Sequence, residues 1–265
     1  GKASVQNLPL GTYRVVETKA PESYVLNETE QTVTFDYKDQ NTPVIEQTAA
    51  FENDRQRVEI SVVKKDAKND AAVEGAVFGL YAKQDIQAHG EVIVKADTLL
   101  DEAASGEDGK AVFDQDVPFG EYYIREQKAP AGYVSSEEVI EVSASYQGQD
   151  IKVAAYVSDF ENEPTTVSIK KTDLATGVEL EGATLTVLDQ DGNIVDTWKS
   201  VKGEEHIIER LTVGETYTLR EELAPYGYLQ AEEIRFTVED TAEIQKVEMK
   251  DDVPMGTLLI NKEGE

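Results

Sequence analysis

The sequence contains no cysteine, and only two histidines, two methionines and one tryptophan. Without cysteine there is no disulfide, no thiolate zinc site, no iron–sulfur cluster and no cysteine nucleophile. Two histidines leave little room for a His-rich metal centre, and no cofactor is called for. Basic residues are also scarce: 25 Lys and Arg stand against 53 Asp and Glu, a formal charge of −28. That charge repels phosphate backbones and anionic membrane surfaces, so nucleic acid is not an expected partner. No apolar run approaches the roughly 20 residues of a membrane span, so no membrane insertion is expected in this segment. There is no signal peptide, and the first residue is Gly1. The chain reads as a mature piece or a fragment, with any export signal or anchor outside it.

What is present is repetition. GTYRVVETKAPESY at 11–24, GEYYIREQKAPAGY at 120–133 and GETYTLREELAPYGY at 214–228 are one segment written three times, with Glu17, Glu126 and Glu221 in register. A lysine segment recurs with Lys64 and Lys171 at its head and begins again in TLLINKEGE with Lys262. AFEND and DFENE place Asn53 and Asn162 in correspondence, separated by the same 109 residues as Glu17 and Glu126. Polar or proline-marked joints lie near 55–57, Pro164 and Pro254. The expected domains are 1–56, the back part of one repeat; 57–164 and 165–254, two complete repeats; and 255–265, the opening strand of another.

Hydrophobicity alternates with period two in runs rich in Val, Ile, Thr and Tyr, and turn signals are frequent. This predicts several short antiparallel strands per repeat, packed as all-β sandwiches in tandem. Residues 84–105 of the second repeat read as a short helical or irregular insertion. Asp189-Gln-Asp191-Gly-Asn193 reads as a hairpin turn rather than a calcium loop, because the acidic residue of EF-hand spacing is missing. His89 and His206 are expected to be solvated, and Trp198 to pack rather than to serve as a sugar platform.

The informative oddity is which charged and amide residues share the apolar phase. Lys64 follows Val58, Ile60 and Val62; Glu126 follows Tyr122 and Ile124; Asn162 follows Phe160. In the third repeat Lys171, Glu221 and Asp251 follow the same rule. Alternation turns all six inward, where an unpaired charge is costly. Burial lowers a lysine pKa and raises a glutamate pKa. A neutral amine is a nucleophile, and a protonated glutamic acid can polarise a carbonyl and shuttle protons. An Asn or Asp beside them is the electrophile, and the product is an amide. An ordinary buried ion pair is the bland alternative, disfavoured because the same three-part set occurs twice in phase.

These segments resemble the glutamate-bearing box of Gram-positive pilin and adhesin domains: the B-type repeats of collagen-binding adhesins and the prealbumin-like domains of SpaA-type pilins. The likeness covers essentially the whole chain. It implies transthyretin-like β-sandwiches, attachment to the Gram-positive cell wall with anchor and signal outside this segment, and spontaneous isopeptide bonds. Carried over by position, it joins Lys64 to Asn162 with Glu126 as promoter, and Lys171 to Asp251 with Glu221. The third repeat departs from the pattern in offering Asp rather than Asn. Glu17 is the equivalent promoter of the truncated first repeat; Asn53 and Lys262 are unpaired equivalents. The implied role is a structural stalk rather than an enzyme, with other pilin subunits or a host extracellular matrix protein as partners. The alternatives are a ligand-binding adhesin region contacting a host protein or glycan, and an accessory region of a surface enzyme.

Overall fold

The computed structural model describes residues 1–88 and 90–262. His89 lies outside the described residues. No helix occurs among them, and the chain is an all-β array of sandwiches.

The first repeat contributes β1 (Gly11–Val15) and β2 (Gln31–Phe35), paired antiparallel with Tyr13 opposite Val33. The second repeat holds nine strands. They are β3 (Arg57–Asp66), β4 (Val77–Ala82), β5 (Ile86–Ala88), β6 (Glu91–Val94), β7 (Leu99–Ala104), β8 (Lys110–Phe113), β9 (Gly120–Lys128), β10 (Val139–Ala144) and β11 (Val153–Asn162). One sheet runs β10-β9-β4-β7 and the facing one β11-β3-β8. Their inner faces supply Val58, Ile60, Val62, Phe78, Leu80, Tyr122, Ile124 and Phe160 to one core. Phe78 and Phe160 meet edge to face with centroids 5.1 Å apart, tying the two sheets together. The expected helical or irregular insertion at 84–105 is instead strand: β5 pairs with β6, and β7 joins β4. Short runs such as Glu91–Val94 lack the length for a helix, and a hairpin satisfies their backbone.

The third repeat has β12 (Thr166–Asp173), β13 (Thr184–Leu188), β14 (Ile194–Lys199), β15 (His206–Glu209), β16 (Thr216–Leu223), β17 (Ile234–Thr237) and β18 (Gln245–Asp251). Its sheets are β14-β13-β16-β17 and β15-β12-β18, closed over Val167, Ile169, Leu185, Leu219 and Met249.

One pairing differs from the antiparallel expectation. In both full repeats the first strand pairs parallel with the last, β3 with β11 and β12 with β18. The many residues between them provide the crossover that a parallel pair requires. Residues 252–262 form no strand, and Leu258, Leu259 and Ile260 are each at least 80 % exposed; the rest of the expected opening strand, 263–265, lies outside the described residues. A lone strand has no ladder partner, so apolar alternation there does not suffice.

Two other expectations change. His206 is half-buried rather than solvated: its ring stacks on Trp198 at 3.9 Å, and Nε2 lies 2.7 Å from an Asp196 carboxylate oxygen. Trp198 packs against the core edge, and Asp189 caps the β13–β14 turn by accepting the Asp191 and Asn193 amides.

Consecutive repeats are joined by one recurring device. The Gln56 amide donates to the Ser23 carbonyl, and Val25 to Asp54, each at 2.9 Å. Thr165 donates to Gly132 at 3.0 Å and Val134 to Glu163 at 2.9 Å, the same bonds 109 residues later. At the second joint Gly132 has φ +83°, and a β-carbon there would sit 2.6 Å from the Arg210 carbonyl oxygen. Gly132→Ala is therefore expected to cost about 1–3 kcal/mol and to open the joint. Limited proteolysis reads this directly: new cleavage near Pro164 is expected in the variant, and an unchanged digest would contradict it.

Candidate functional site

Each full repeat brings three inward residues together from three strands. In the second repeat Lys64 is fully buried near the end of β3 and Asn162 is 3 % exposed at the end of β11. In the parallel register Phe160 faces Lys64 and Asn162 faces Asp66, so the lysine and the amide are diagonal neighbours. Glu126 comes from β9 of the opposite sheet.

Asn162 Nδ2 donates to Glu126 Oε2 at 2.9 Å and to the Val134 carbonyl at 2.5 Å. Glu126 Oε2 also accepts the Ser136 amide at 3.0 Å. Asn162 Oδ1 and Glu126 Oε1 are buried with no partner. Such orphaned oxygens are rare in folded proteins and ask for a donor. Lys64 Nζ donates to the Lys65 carbonyl at 2.7 Å, and hydrogen-bonds neither Glu126 nor Asn162 among the described residues. Burial pushes Lys64 down to about 8, against the opposing charges of Glu126, Asp66 and Glu161. Burial pushes Glu126 up, against its bonds to Asn162 and Ser136 and the nearby Lys64. Both shifts favour the neutral form.

The third repeat draws its set tighter. Lys171 Nζ lies against Asp251 Oδ1 and 3.0 Å from Glu221 Oε1, with all three side chains essentially inaccessible. Glu221 Oε2 accepts the Ala231 amide at 2.7 Å, the counterpart of the Ser136 bond. Burial pushes Asp251 up, opposed by Lys171 and reinforced by Glu221. The register repeats as well, with Met249 facing Lys171 and Asp251 facing Asp173.

The first repeat carries the same half-site. Asn53 Nδ2 donates to Glu17 Oε2 at 2.6 Å and to the Val25 carbonyl at 2.9 Å, and the Asn27 amide donates to Glu17 Oε2 at 2.8 Å. No lysine approaches this pair among the described residues. Lys262 is exposed and joins no hydrogen bond or ion pair among them.

The alternation of single strands did not single out Asp66, Tyr133 and Arg210. The Tyr133 hydroxyl and Arg210 Nη2 donate to Asp66 Oδ2 at 2.9 and 2.6 Å. A signal for the first two existed in the repeats. An aspartate follows the lysine of each full repeat by two residues (Asp66, Asp173), and a tyrosine follows each glutamate by seven (Tyr24, Tyr133, Tyr228).

The SpaA prealbumin-like fold domain family matches residues 1–49, 58–158 and 165–253. Among solved structures, the Bacillus anthracis TIE protein aligns over 92 % of this chain and 42 % of its own, with 25 % identity and a TM-score of 0.55. The chain thus spans less than half of that protein. The C-terminal fragment of the pilus adhesin SpaC from Lactobacillus rhamnosus GG aligns over 77 % of this chain and all of its own, with 17 % identity and a TM-score of 0.48. The minor pilin GBS52 of Streptococcus agalactiae aligns over 77 % of this chain and 99 % of its own, with 17 % identity and a TM-score of 0.33. No curated protein matches the sequence.

Proposed function

Because the chain belongs to the SpaA prealbumin-like domain family, we propose that it is a stalk region of a Gram-positive surface pilin or adhesin, its two full repeats closed by internal amide bonds. The family is one of structural domains rather than enzymes. The observation that carries the reading is the half-buried Glu126–Asn162 bond, with buried orphaned oxygens on both side chains, beside a fully buried lysine.

The chemistry follows from the geometry. In the second repeat the neutral Lys64 Nζ swings from the Lys65 carbonyl and attacks Asn162 Cγ. Protonated Glu126 hydrogen-bonds the side-chain amide and polarises it. The Nζ–Cγ bond forms and the Cγ–Nδ2 bond breaks. Glu126 relays a proton from Nζ to Nδ2, and ammonia leaves. In the third repeat one proton passes from Lys171 Nζ to the Asp251 carboxylate, Nζ attacks Cγ, and Glu221 relays a second proton from Nζ to Oδ2, so that the Cγ–Oδ2 bond breaks and water leaves. No substrate turns over. The same reading places the protein on the cell wall, with other pilin subunits as its natural neighbours and a host matrix protein as a further partner.

Intact mass tests this directly. The purified chain should weigh one ammonia and one water less than its sequence. Glu126→Ala should restore only the ammonia, and Glu221→Ala only the water. Full sequence mass in a well-folded parent would sink the reading.

A further inference from the structure

The second repeat's site is built partly by the third repeat. Asp66 lies on β3 two residues beyond Lys64, on the same inward face, and is 1 % exposed. It faces Asn162 across the parallel pair. Its Oδ1 accepts the Lys68 amide at 2.8 Å. Its Oδ2 takes the Tyr133 hydroxyl and Arg210 Nη2, the latter from the turn after β15 in the third repeat. Arg210 Nε also donates to the Tyr133 hydroxyl at 3.2 Å. The Tyr133 ring in turn lies under Lys64 Nζ, 5.4 Å from its centroid. Arg210 is held in place by its backbone: its amide donates to the Thr165 carbonyl at 2.9 Å, φ is +64°, and Gly132 packs directly against it.

We propose that Arg210 is a positioning residue for amide formation in the second repeat, so that docking of the third repeat is a condition for fast closure of the second. The proposal rests on the cross-link reading above. Two effects carry it. Arg210 neutralises the carboxylate nearest to Lys64 along its own strand, which would otherwise hold the amine as an ammonium ion. It also pins Tyr133, the aromatic platform beneath that amine.

The groups acting on Lys64 define the balance: Asp66 from β3 and Glu126 from β9 on the inner side, Glu161 from the exposed face of β11, and the Tyr133 ring from the loop after β9. The Lys65–Asp159 ion pair lies on the outer face. Burial would push Asp66 up, but the bonds from Arg210, Lys68 and Tyr133 outweigh it and hold the carboxyl below its ordinary value. Asp66 is therefore charged, and Arg210 is the one cation bonded to it among the described residues. The third repeat provides an internal contrast. Its equivalent Asp173 is satisfied by Thr176, Ala175 and Tyr228, with no arginine.

The test is the rate of closure in the whole chain. The protein is made by rapid cell-free synthesis, transferred to buffers from about pH 6 to about pH 9, and quenched at intervals for mass analysis. Loss of ammonia reports the second repeat and loss of water the third. In Arg210→Ala, ammonia loss should slow about tenfold near neutrality. Its pH midpoint should move up by about one unit, with the difference closing in alkali. Water loss should be unchanged. The double variant Arg210→Ala/Asp66→Asn should recover the parent midpoint, since the uncompensated charge is gone. Ser135→Ala removes another contact of the joint, the hydroxyl bond to Asp240 Oδ2 at 2.5 Å, while its backbone amide keeps the bond to Oδ1 at 2.8 Å, and should leave the midpoint where it is. An unchanged rate and midpoint in Arg210→Ala overturns the proposal while leaving the cross-link intact. Equal shifts in Ser135→Ala and Arg210→Ala, without rescue by Asp66→Asn, would reduce Arg210 to a joint residue. No ammonia loss in the parent removes the cross-link and this proposal together.

Discussion

Lys64→Met is expected to lower the melting temperature of the second repeat by about 20 °C or more. Methionine fills nearly the same volume as the lysine, so packing changes little. The effect that remains is the loss of the proposed cross-link between β3 and β11. Lys64 and Asn162 enclose roughly one hundred residues, for which the chain-entropy estimate is about 4.7 kcal/mol. For a domain of this size, each kcal/mol moves the transition by about 4–8 °C. Calorimetry of the whole chain resolves the point, because the third repeat is unchanged and serves as reference. A second-repeat transition within a few degrees of the parent would mean that no bond stabilises it.

Lys171→Met should be more damaging still, and in a manner that depends on pH. It removes the proposed bond between residues 80 apart, worth about 4.5 kcal/mol by the same estimate. It also leaves Glu221 and Asp251 buried without their cation. The proposed bond consumes the Asp251 carboxyl, so the variant buries a carboxyl that the closed repeat does not, and ionising it there costs several kcal/mol. Burial already holds Asp251 above its ordinary value, and the lysine that opposes this is gone in the variant. A carboxyl with a raised folded pKa takes up a proton on folding. Its stabilising effect is complete below the unfolded pKa of about 3.9 and is lost as pH rises through the folded value. The variant's third repeat should therefore be firmest in mild acid and unfold at neutrality. Urea midpoints measured across that range decide it, and a flat profile would contradict the buried arrangement of the two carboxylates.

Much of this site was legible before any coordinates. Lys64, Glu126 and Asn162 stand out because alternation in a strand assigns each residue a face, and because the third repeat spells the set again. The burial of Lys64 and Asn162 follows from that phase alone, while Glu126 is only half-buried. Other features depend on which strands become neighbours, and local sequence does not encode that. The parallel pairing of β3 with β11 is one. The stack of Trp198 on His206, which bridges strands of different sheets, is another. Arg210 is the extreme case. It sits in a turn without periodicity and acts on a neighbouring repeat. The 84–105 region was misread because short polar strands such as β5 and β6 carry no strong alternation. The apolar run at 258–260 shows the converse, since a strand-like sequence without a ladder partner forms no strand and stays exposed.

The parallel pairing of first and last strands has a mechanical consequence. Each full repeat is entered at the start of its first strand and left at the end of its last, and these strands run side by side in the same direction. The proposed bonds lie near the far end of both. A pull on the chain ends then travels up β3 to Lys64, crosses to Asn162, and leaves at once toward Pro164. The core, the facing sheet and every loop between those two residues hang beside that path as a side branch. In such a chain extension is limited by covalent bonds along a short route, and the sandwich can lose its hydrogen bonds without the stalk growing longer.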